Sequence, residues 1–332
     1  MIARAAFLEG IAGATMVATG GLDVWDAQSP QIRVLVANDA HGETPQVAPD
    51  GTFGFGGKRW RGAPSTVGMP DGRMALVTTI DVDSYLRGVV PLESPPSWPP
   101  AALEAQAIVA RTYALARRSL SRPYDVLAND ADQRWGGVEA EHPASNAAIA
   151  ATRGRTLTYG GGPASAFYSS CCGGHTADSA SVWGGVELPY LRGVADPYCA
   201  PAPEYRWMRS VPLDRALAAF GARTGGTLVG TMLGQPDPSG RPHTVSLLGA
   251  TELTMPVADF RRALGFDVVR SLWLRAVRID AAQAAPRLVI EGAGHGHGVG
   301  LCQWGARFCA SSGGTADAIL AFYFPGTTVT HG

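Results

Sequence analysis

The sequence predicts a mixed α/β fold of the α+β type, with short, mainly antiparallel sheets around one central buried helix. Three observations lead to this prediction. The 332 residues include 42 glycines and 24 prolines, which favour many turns and short elements over long helices. Apolar residues make up 46 % of the chain and charged residues 17 %, enough to fill a large core. A single segment, residues 99–120, has the alanine-rich composition of a long helix.

The first part of the chain, residues 29–80, is predicted to be rich in β-strand. Residues 32–37 alternate apolar and polar side chains before they become apolar throughout, and residues 52–55 form a strand broken by glycine. Residues 74–80 follow an Asp-Gly turn and are rich in β-forming side chains. A short helix at 81–86 then opens a larger predicted domain that extends to residue 332.

The helix at 99–120 begins with two prolines, at positions where a missing N–H costs no hydrogen bond. Small or apolar side chains occupy one of its faces, namely Leu103, Ala107, Ala110 and Ala114. Such a face allows close packing, so we predict that this helix is buried at the centre of the domain. Arg111 and Tyr113 then need polar partners, which either the protein or a ligand could supply.

The remaining segments alternate between short helices and strands. Helices are predicted at 144–152 and 257–264, and strands at 244–248, 272–279 and 287–290. Residues 204–280 carry no pattern that indicates chemistry.

The charge balance argues against one class of partner. The chain has 27 basic and 28 acidic residues, so we expect no nucleic acid partner. Residues 1–28 resemble a degenerate secretory signal, because Arg4 precedes a small-residue apolar run at 11–22, although Glu9 interrupts the pattern. We therefore expect an exported protein of the cell envelope, periplasm or exterior. No apolar run reaches about 18 residues, so no membrane-spanning helix is expected.

The five cysteines, at 171, 172, 199, 302 and 309, lack the paired C-x-x-C spacing of zinc sites. In an exported protein we predict a disulfide between Cys172 and Cys199, with Cys171 as the less favoured partner of Cys199. Buried free thiols are the alternative. We predict no required metal or other cofactor.

Residues 89–98 place a single acid, Glu93, in an apolar and proline-rich stretch. An apolar surrounding disfavours the ionised carboxylate, so the pKa of Glu93 is expected to be raised, as a general acid requires. The alternative is that Glu93 only caps the helix that follows. The turn with Asp132, Gln133 and Trp135 has two equal interpretations, a sugar subsite or an Asp-rich turn with one packed tryptophan.

Two glycine-rich loops are suited to close approach by a ligand. The first, residues 166–176, contains Ser169, Ser170 and His175; a metal at Cys171, Cys172 and His175 is disfavoured because no second spaced pair is present. The second, residues 292–306, contains His297 and Gln303. It lacks the G-K-[ST] and G-x-G-x-x-G patterns of phosphate loops. Its glycines either present these side chains to a substrate or permit tight packing.

Taken together, these segments resemble the SpoIID/LytB domain family, named for a lytic transglycosylase of the bacterial cell wall. The resemblance rests on ordered runs from about residue 30 to 325: YLRGVVPLE at 85–93, WP at 98–99, ALEAQA at 102–107, ARTYA at 110–114, WG at 183–184, PYL at 189–191, GHGVG at 296–300 and QWGA at 303–306. Ser94, His295 and Cys302 stand where methionine, tryptophan and serine are usual in the family.

The resemblance implies that residues 81–332 form a catalytic domain with a substrate groove between the Glu93 and His297 loops. Glu93 is then the general acid and base that cleaves MurNAc–GlcNAc bonds of peptide-stripped peptidoglycan glycan to 1,6-anhydro ends. The residues predicted to contact the glycan are Trp98, Arg111, Tyr113, Gln133, Ser169, Ser170, His175, His297, Gln303 and Trp304. Some members of the family bind zinc after the central helix, but those ligands have no match in this sequence.

Two alternatives belong to other functional classes. A non-catalytic wall-binding protein that enhances an amidase, and so acts beside other cell-wall hydrolases, would keep the groove and tolerate the loss of Glu93. A metal-dependent hydrolase would depend on His175, His295 and His297 and would be inactivated by a chelator.

Overall fold

The computed structural model describes residues 29–40, 43–282 and 285–331. Its helices and short sheets confirm the predicted mixed α/β class. The predicted leader at 1–28 lies outside the described residues. The chain forms two compact units: the first holds the described residues up to Phe167, Ala310–Ala321 and the stretch from Gly326, and the second holds Tyr168–Cys309 and Phe322–Pro325. The domain boundary predicted at 80/81 falls inside the first unit and stays a prediction.

Most strands of the described chain are short. They are β1 (Gln31–Ala37), β2 (Gln46–Val47), β3 (Thr52–Phe55), β4 (Lys58–Arg61), β5 (Ala63–Gly68), β6 (Met74–Asp81), β7 (Val126–Leu127), β8 (Arg155–Tyr159), β9 (Gly162–Pro163), β10 (Tyr168–Ser169), β11 (Trp207–Pro212), β12 (Gly230–Leu233), β13 (Thr244–Leu248), β14 (Leu253–Pro256), β15 (Trp273–Asp280), β16 (Arg287–Ala293), β17 (Leu301–Cys302) and β18 (Thr328–His331).

The helices of the same residues are α1 (Val82–Arg87), α2 (Val90–Glu93), α3 (Pro100–Ala116), α4 (Pro143–Ala151), α5 (Ser179–Trp183), α6 (Leu213–Thr224), α7 (Val257–Leu264), α8 (Gln303–Ser311) and α9 (Ala316–Tyr323). Short 3₁₀ turns lie at Val138–Ala140 and Pro189–Leu191.

The first unit is built on a four-stranded sheet in the order β5-β6-β1-β7. Strand β1 runs antiparallel to β6, with Ile32 opposite Ile80, and parallel to β7. Two smaller antiparallel sheets have the orders β2-β3-β4 and β18-β8-β9. Antiparallel pairing thus predominates, as predicted.

Helix α3 is the central buried helix that the sequence predicts. The four residues of its predicted packing face, Leu103, Ala107, Ala110 and Ala114, are at most 1 % exposed. The helix ends at Ala116, earlier than expected, because the chain then turns back to the sheet. Asp125 holds this turn: its carboxylate accepts the backbone N–H of Ser119 at 2.9 Å and pairs with Arg33 at 2.8 Å.

Helices α1 and α3 are joined by a buried ion pair. Asp81 begins α1, because its carboxylate accepts the backbone N–H of Ser84 at 2.9 Å and so caps the helix. Asp83, in the first turn of α1, lies 2.7 Å from Arg111 of α3, and both side chains are buried. The turn that leads to Glu93 is therefore anchored to the central helix.

The second unit has a core between helices α6 and α7 and two three-stranded antiparallel sheets, β11-β16-β15 and β12-β13-β14. Phe220 and Phe260 stack in this core with ring centroids 5.6 Å apart. A separate parallel pair, β10 with β17, places Ser169 opposite Cys302. This pair joins the two glycine-rich loops that the sequence singles out.

Candidate functional site

Glu93 is the last residue of α2 and is half-buried. Its Oε1 accepts the backbone N–H of Arg134 at 3.2 Å. A backbone donor cannot rotate away as a side chain can, so this bond holds the carboxylate in a defined position while part of it stays accessible. This arrangement can hold and move a proton.

The segment that carries Arg134 packs tightly against the turn before α2. The N–H of Gly136 donates to the carbonyl of Gly88 at 3.0 Å, and a Cβ on Gly88 would lie 2.6 Å from the ring of Trp135. That ring is 3 % exposed and packs against Trp60 and Tyr85, with centroids 4.9 and 5.5 Å away. Of the two interpretations of this turn, the packed tryptophan describes Trp135.

Three predicted glycan contacts lie in the first unit. Gln133 is fully buried; its Nε2 donates to the carbonyl of Ala110 at 3.4 Å and its Oε1 accepts from the hydroxyl of Tyr85. Tyr113 is buried, and burial raises the pKa of its hydroxyl well above the usual value. Trp98 is 8 % exposed. Direct contact of these three side chains with glycan stays a prediction.

Asp132, the acid nearest to Arg134 along the chain, is already engaged by other groups. Its Oδ1 accepts the Tyr113 hydroxyl at 2.7 Å and pairs with Arg117 at 3.3 Å, while its Oδ2 accepts the N–H of Leu127 at 2.8 Å. These bonds leave Asp132 poorly placed to act as a second catalytic carboxylate.

Arg111 is 1 % exposed and bonded within the protein. Besides Asp83, its guanidinium donates to the carbonyls of Arg155 at 3.1 Å and Ile149 at 3.3 Å. Burial lowers the pKa of Arg111 from its usual value, against the attraction of Asp83. Arg111 and Asp83 line a cleft of about 810 Å³ in the first unit, and Glu93 is not among the described residues that line it. Arg111 therefore has a structural role whether or not it contacts substrate.

In the second unit, the two glycine-rich loops pack on each other through the β10–β17 pair. The backbone N–H of Trp304 donates to the carbonyl of Ser170 at 3.0 Å. Ser169 is 7 % exposed and faces Gly296, whose φ of 104° and close approach to the Ser169 Cβ both require glycine. The structure thus brings Ser169, Ser170 and Trp304 close together, and their contact with glycan stays a prediction.

His297 lies in the same cluster and is half-buried. Its Nδ1 accepts the N–H of Val299 at 3.0 Å, and the imidazole also forms a hydrogen bond with the backbone of Tyr168. Its ring lies 5.0 Å from that of Trp183. Burial, with a smaller contribution from Arg261, lowers the pKa of His297 to about 4. The imidazole is therefore neutral at ordinary pH and serves as a hydrogen-bonding group.

The other predicted residues of this unit have separate surroundings. Gln303 begins α8 and is 6 % exposed. The guanidinium of Arg307 lies over the ring of Trp304, 4.6 Å from the ring centroid. His175 is half-buried, with its Nδ1 2.7 Å from the carbonyl of Thr176. The predicted groove between the Glu93 and His297 loops, which belong to different units, stays a prediction.

Sequence reasoning missed a buried cluster in which Cys172, Cys199 and Cys302 meet Asp196. The Sγ atoms of Cys172 and Cys199 are 3.5 Å apart, and all five cysteines of the chain are free thiols in the structure, so the predicted disulfide stays a prediction. Hydrogen bonds from the neighbouring thiols hold the pKa of Cys199 well below its usual value. The D-x-x-C spacing at 196–199 was the available signal.

Comparison with known proteins finds a matching family model and several related proteins. A family model described as Stage II sporulation protein, SpoIID, matches residues 70–159, which include Glu93, Trp98, Arg111, Tyr113 and Gln133. An uncharacterized protein of Brachyspira hyodysenteriae (strain ATCC 49526 / WA1) is 34 % identical over 263 residues, 77 % of this chain and 68 % of that protein.

Two relatives from Bacillus subtilis (strain 168) have descriptive names. Stage II sporulation protein D is 28 % identical over 286 residues, which cover 80 % of each protein. A protein named amidase enhancer is 29 % identical over 301 residues, 74 % of this chain but only 40 % of that protein.

Proposed function

This chain belongs to the SpoIID family and so has a cell-wall-related role, and on that premise we propose that it is a peptidoglycan lytic transglycosylase. The substrate is peptide-stripped glycan, the bond cleaved is the MurNAc–GlcNAc linkage, and the products carry 1,6-anhydro ends. Glu93 is the general acid and base. Such a substrate requires action outside the cytoplasm, in the cell envelope.

The observation that supports this proposal most is the position of Glu93. Its carboxylate is half-buried at the end of α2, with one oxygen bonded to the backbone N–H of Arg134 and part of its surface accessible. A general acid–base must hold its proton in a defined position within reach of the substrate. Glu93 also lies inside the stretch that the family model matches.

The mechanism needs only one carboxyl group. Glycosidases that use water or a covalent intermediate place two carboxyl groups across the scissile bond. Here the C6 hydroxyl of the muramic acid is the nucleophile, so Glu93 first protonates the glycosidic oxygen and then, as carboxylate, accepts the C6 proton. The engagement of Asp132 by Tyr113, Leu127 and Arg117 is consistent with a single acting carboxylate.

A second candidate is a non-catalytic wall-binding protein that enhances an amidase. The relative named amidase enhancer favours it, because the match covers 74 % of this chain. In this case glycan binding and partnership with other cell-wall hydrolases would persist without Glu93.

The metal-dependent hydrolase has less support. In the described residues, the ligand atoms that converge as a metal site belong to cysteines and Asp196, and His175, His295 and His297 are not part of that group.

Product analysis separates the candidates. The full-length protein is incubated with peptide-free glycan strands, and the soluble fragments are weighed by mass spectrometry. A transglycosylase releases fragments with 1,6-anhydro ends, whereas a hydrolase releases fragments heavier by one water. If the protein binds the strands and releases nothing, the wall-binding candidate replaces our proposal.

A further inference from the structure

Three cysteines and one aspartate from distant parts of the second unit converge in its interior. The Sγ atoms of Cys172, Cys199 and Cys302 and a carboxylate oxygen of Asp196 all lie within 4.8 Å of one another. All four side chains are buried, at 0 to 2 % exposure. We propose that these residues bind one structural divalent cation with the preferences of Zn²⁺, through three thiolates and one carboxylate. This inference is independent of the transglycosylase proposal.

The spacing of the ligand atoms fits a tetrahedral site. Zn–S bonds are about 2.3 Å, so sulfurs on one tetrahedral zinc are roughly 3.7 Å apart. The Sγ atoms of Cys172 and Cys199 are 3.5 Å apart, and the Cys172 Sγ lies 3.0 Å from Oδ2 of Asp196. Side-chain shifts of less than about 1 Å would bring these atoms to bonding positions. A closed set of four protein ligands is typical of structural zinc.

Both oxygens of the Asp196 carboxyl group accept hydrogen bonds, so this group is suited to bind a cation in its ionised form. Its Oδ1 accepts the N–H groups of Tyr198 and Cys199, and its Oδ2 accepts from the Tyr323 hydroxyl and the Cys172 thiol. All these donors are neutral, and no arginine or lysine of the described chain forms an ion pair with this carboxylate. A buried, ionised carboxylate is expensive unless a cation compensates it. A bound divalent ion provides that compensation.

The surrounding groups resemble the outer sphere of a metal–thiolate site. The sulfur of Cys302 accepts the backbone N–H groups of Cys172 at 3.2 Å and Gly305 at 3.4 Å. A neutral thiol is a weak acceptor, whereas an ionised thiolate attracts such donors. Gly305 has no side chain, and a Cβ there would clash with Asp196 and with the hydroxyl of Tyr323. The chain thus leaves room for a hydrogen-bonded carboxylate at this point.

The metal and the predicted Cys172–Cys199 disulfide exclude each other, because both use the same sulfurs. A disulfide between Cys172 and Cys199 would leave the sulfur of Cys302 unused and Asp196 without a cation. A bound metal uses all four groups. The prediction of no required metal relied on the lack of paired cysteine spacing. The fold instead collects ligands from segments up to 130 residues apart.

A bound ion would hold together the loops predicted to contact glycan. Cys172 follows Ser169 and Ser170 closely, and Cys302 immediately precedes Gln303. The site therefore fixes the position of these loops and takes no part in proton transfer.

The test measures metal directly in the full-length protein. Wild type, Cys172→Ser, Cys302→Ser and the control Cys309→Ser are purified in reducing, chelator-free buffer with zinc, desalted and analysed by elemental mass spectrometry. Cys309 is also a buried cysteine of this unit but lies outside the cluster. We expect about one zinc per chain in wild type and Cys309→Ser, and less than about 0.2 in the two cluster variants.

Cobalt substitution provides a readout that does not depend on the variants folding. Wild type reconstituted with Co²⁺ should show thiolate-to-cobalt charge transfer and the intense visible bands of tetrahedral cobalt, in a one-to-one titration. The proposal is overturned if reduced wild type binds neither ion, or if zinc content is the same in all four proteins. A Cys172–Cys199 disulfide found by non-reducing peptide mapping of metal-free protein from the envelope would also overturn it.

Discussion

The carboxylate of Glu93 is held in position by the backbone of Arg134, through an N–H···Oε1 bond of 3.2 Å. The amide of a glutamine at position 93 could accept the same bond through its own Oε1. Replacing Glu93 by glutamine therefore removes the proton that the reaction needs while it keeps this geometry.

For Glu93→Gln we expect the rate of anhydro-fragment release to fall by roughly 10² to 10⁴, the usual contribution of a positioned general acid–base. Binding to the same glycan in a pull-down should persist. Stability should stay the same or rise, because a neutral amide avoids the cost of burying a carboxylate.

The matched control is Glu43→Gln, since Glu43 also accepts a backbone N–H, from Gly56 at 2.8 Å, but is exposed. It should release fragments at the wild-type rate. Equal rates for wild type and Glu93→Gln would remove Glu93 from the mechanism.

Gly88→Ala should destabilise the protein by about 1 to 3 kcal/mol, because the new methyl group would overlap the buried ring of Trp135. The φ of Gly88 is −94°, so the backbone itself tolerates alanine, and the strain comes from contacts of the new methyl group with the Trp135 ring and with the carbonyl oxygen of Gly137, 2.8 Å away. Gly68→Ala is the control, since no atom lies within 4 Å of the place that its added methyl group would occupy. Urea denaturation should show a lower free energy of unfolding for Gly88→Ala but not for Gly68→Ala. An equal decrease for both variants would contradict the packing described around Trp135.

Asp83→Asn should lower the free energy of unfolding by about 3 kcal/mol or more, because it leaves Arg111 charged and buried without a carboxylate to compensate its charge. Glu139→Gln removes an exposed ion pair with Arg59 and should cost at most a few tenths of a kcal/mol. Denaturant titration of both variants measures the difference. If Asp83→Asn is as stable as Glu139→Gln, the pair does not anchor α1 to α3.

His297 should make the folded protein less stable in acid. Its pKa is about 4 in the folded state and about 6.5 when unfolded, so between these values the unfolded chain binds a proton that the folded chain does not. The contribution of His297 to the free energy of unfolding is complete above pH 6.5. As the pH falls to 4, the free energy of unfolding decreases by roughly 2 to 3 kcal/mol.

The variant His297→Asn can still accept the N–H of Val299 but does not titrate. Denaturation curves at pH 7 and pH 4 should therefore show that the free energy of unfolding decreases more for wild type than for this variant. Equal losses would mean that His297 titrates alike in both states.

The predicted secondary structure agrees with the structure where local chemistry decides it. Asp81 caps α1, and the alanine-rich stretch forms α3, because capping and helix propensity act within a few residues. The early end of α3 depends on Asp125, which binds Ser119 and Arg33; the latter lies 92 residues away. A local pattern cannot contain such a contact.

The same distinction applies to the sites. Glu93 could be identified as a candidate because its apolar neighbours and the family motif are contiguous in the sequence, and its catalytic role stays a prediction. The Cys172, Asp196, Cys199 and Cys302 cluster could not, since the parallel pairing of β10 with β17 brings Cys302 to it. Trp135 was ambiguous for a similar reason, because its neighbour Trp60 comes from a strand 75 residues earlier.

Tyr323→Phe should weaken binding of the inferred metal ten- to a hundredfold, because the tyrosine hydroxyl orients Asp196 from a distance of 2.9 Å. Competition between the protein and a chromophoric chelator measures the affinity. Tyr159→Phe, at an exposed position of the first unit, is the control and should bind as wild type does. Identical affinities for both variants would show that the Tyr323 bond does not support a metal ligand.

The pairing of β18 with β8 has a consequence for biosynthesis. Thr328 lies opposite Thr158, which precedes it by 170 positions in the chain. At typical translation rates of about 5 to 20 residues per second, β18 leaves the ribosome roughly 10 to 30 s after β8. During that interval one edge of β8 is unpaired and open to other strands. Nascent chains of this protein should therefore depend on chaperone protection of that edge until synthesis reaches β18.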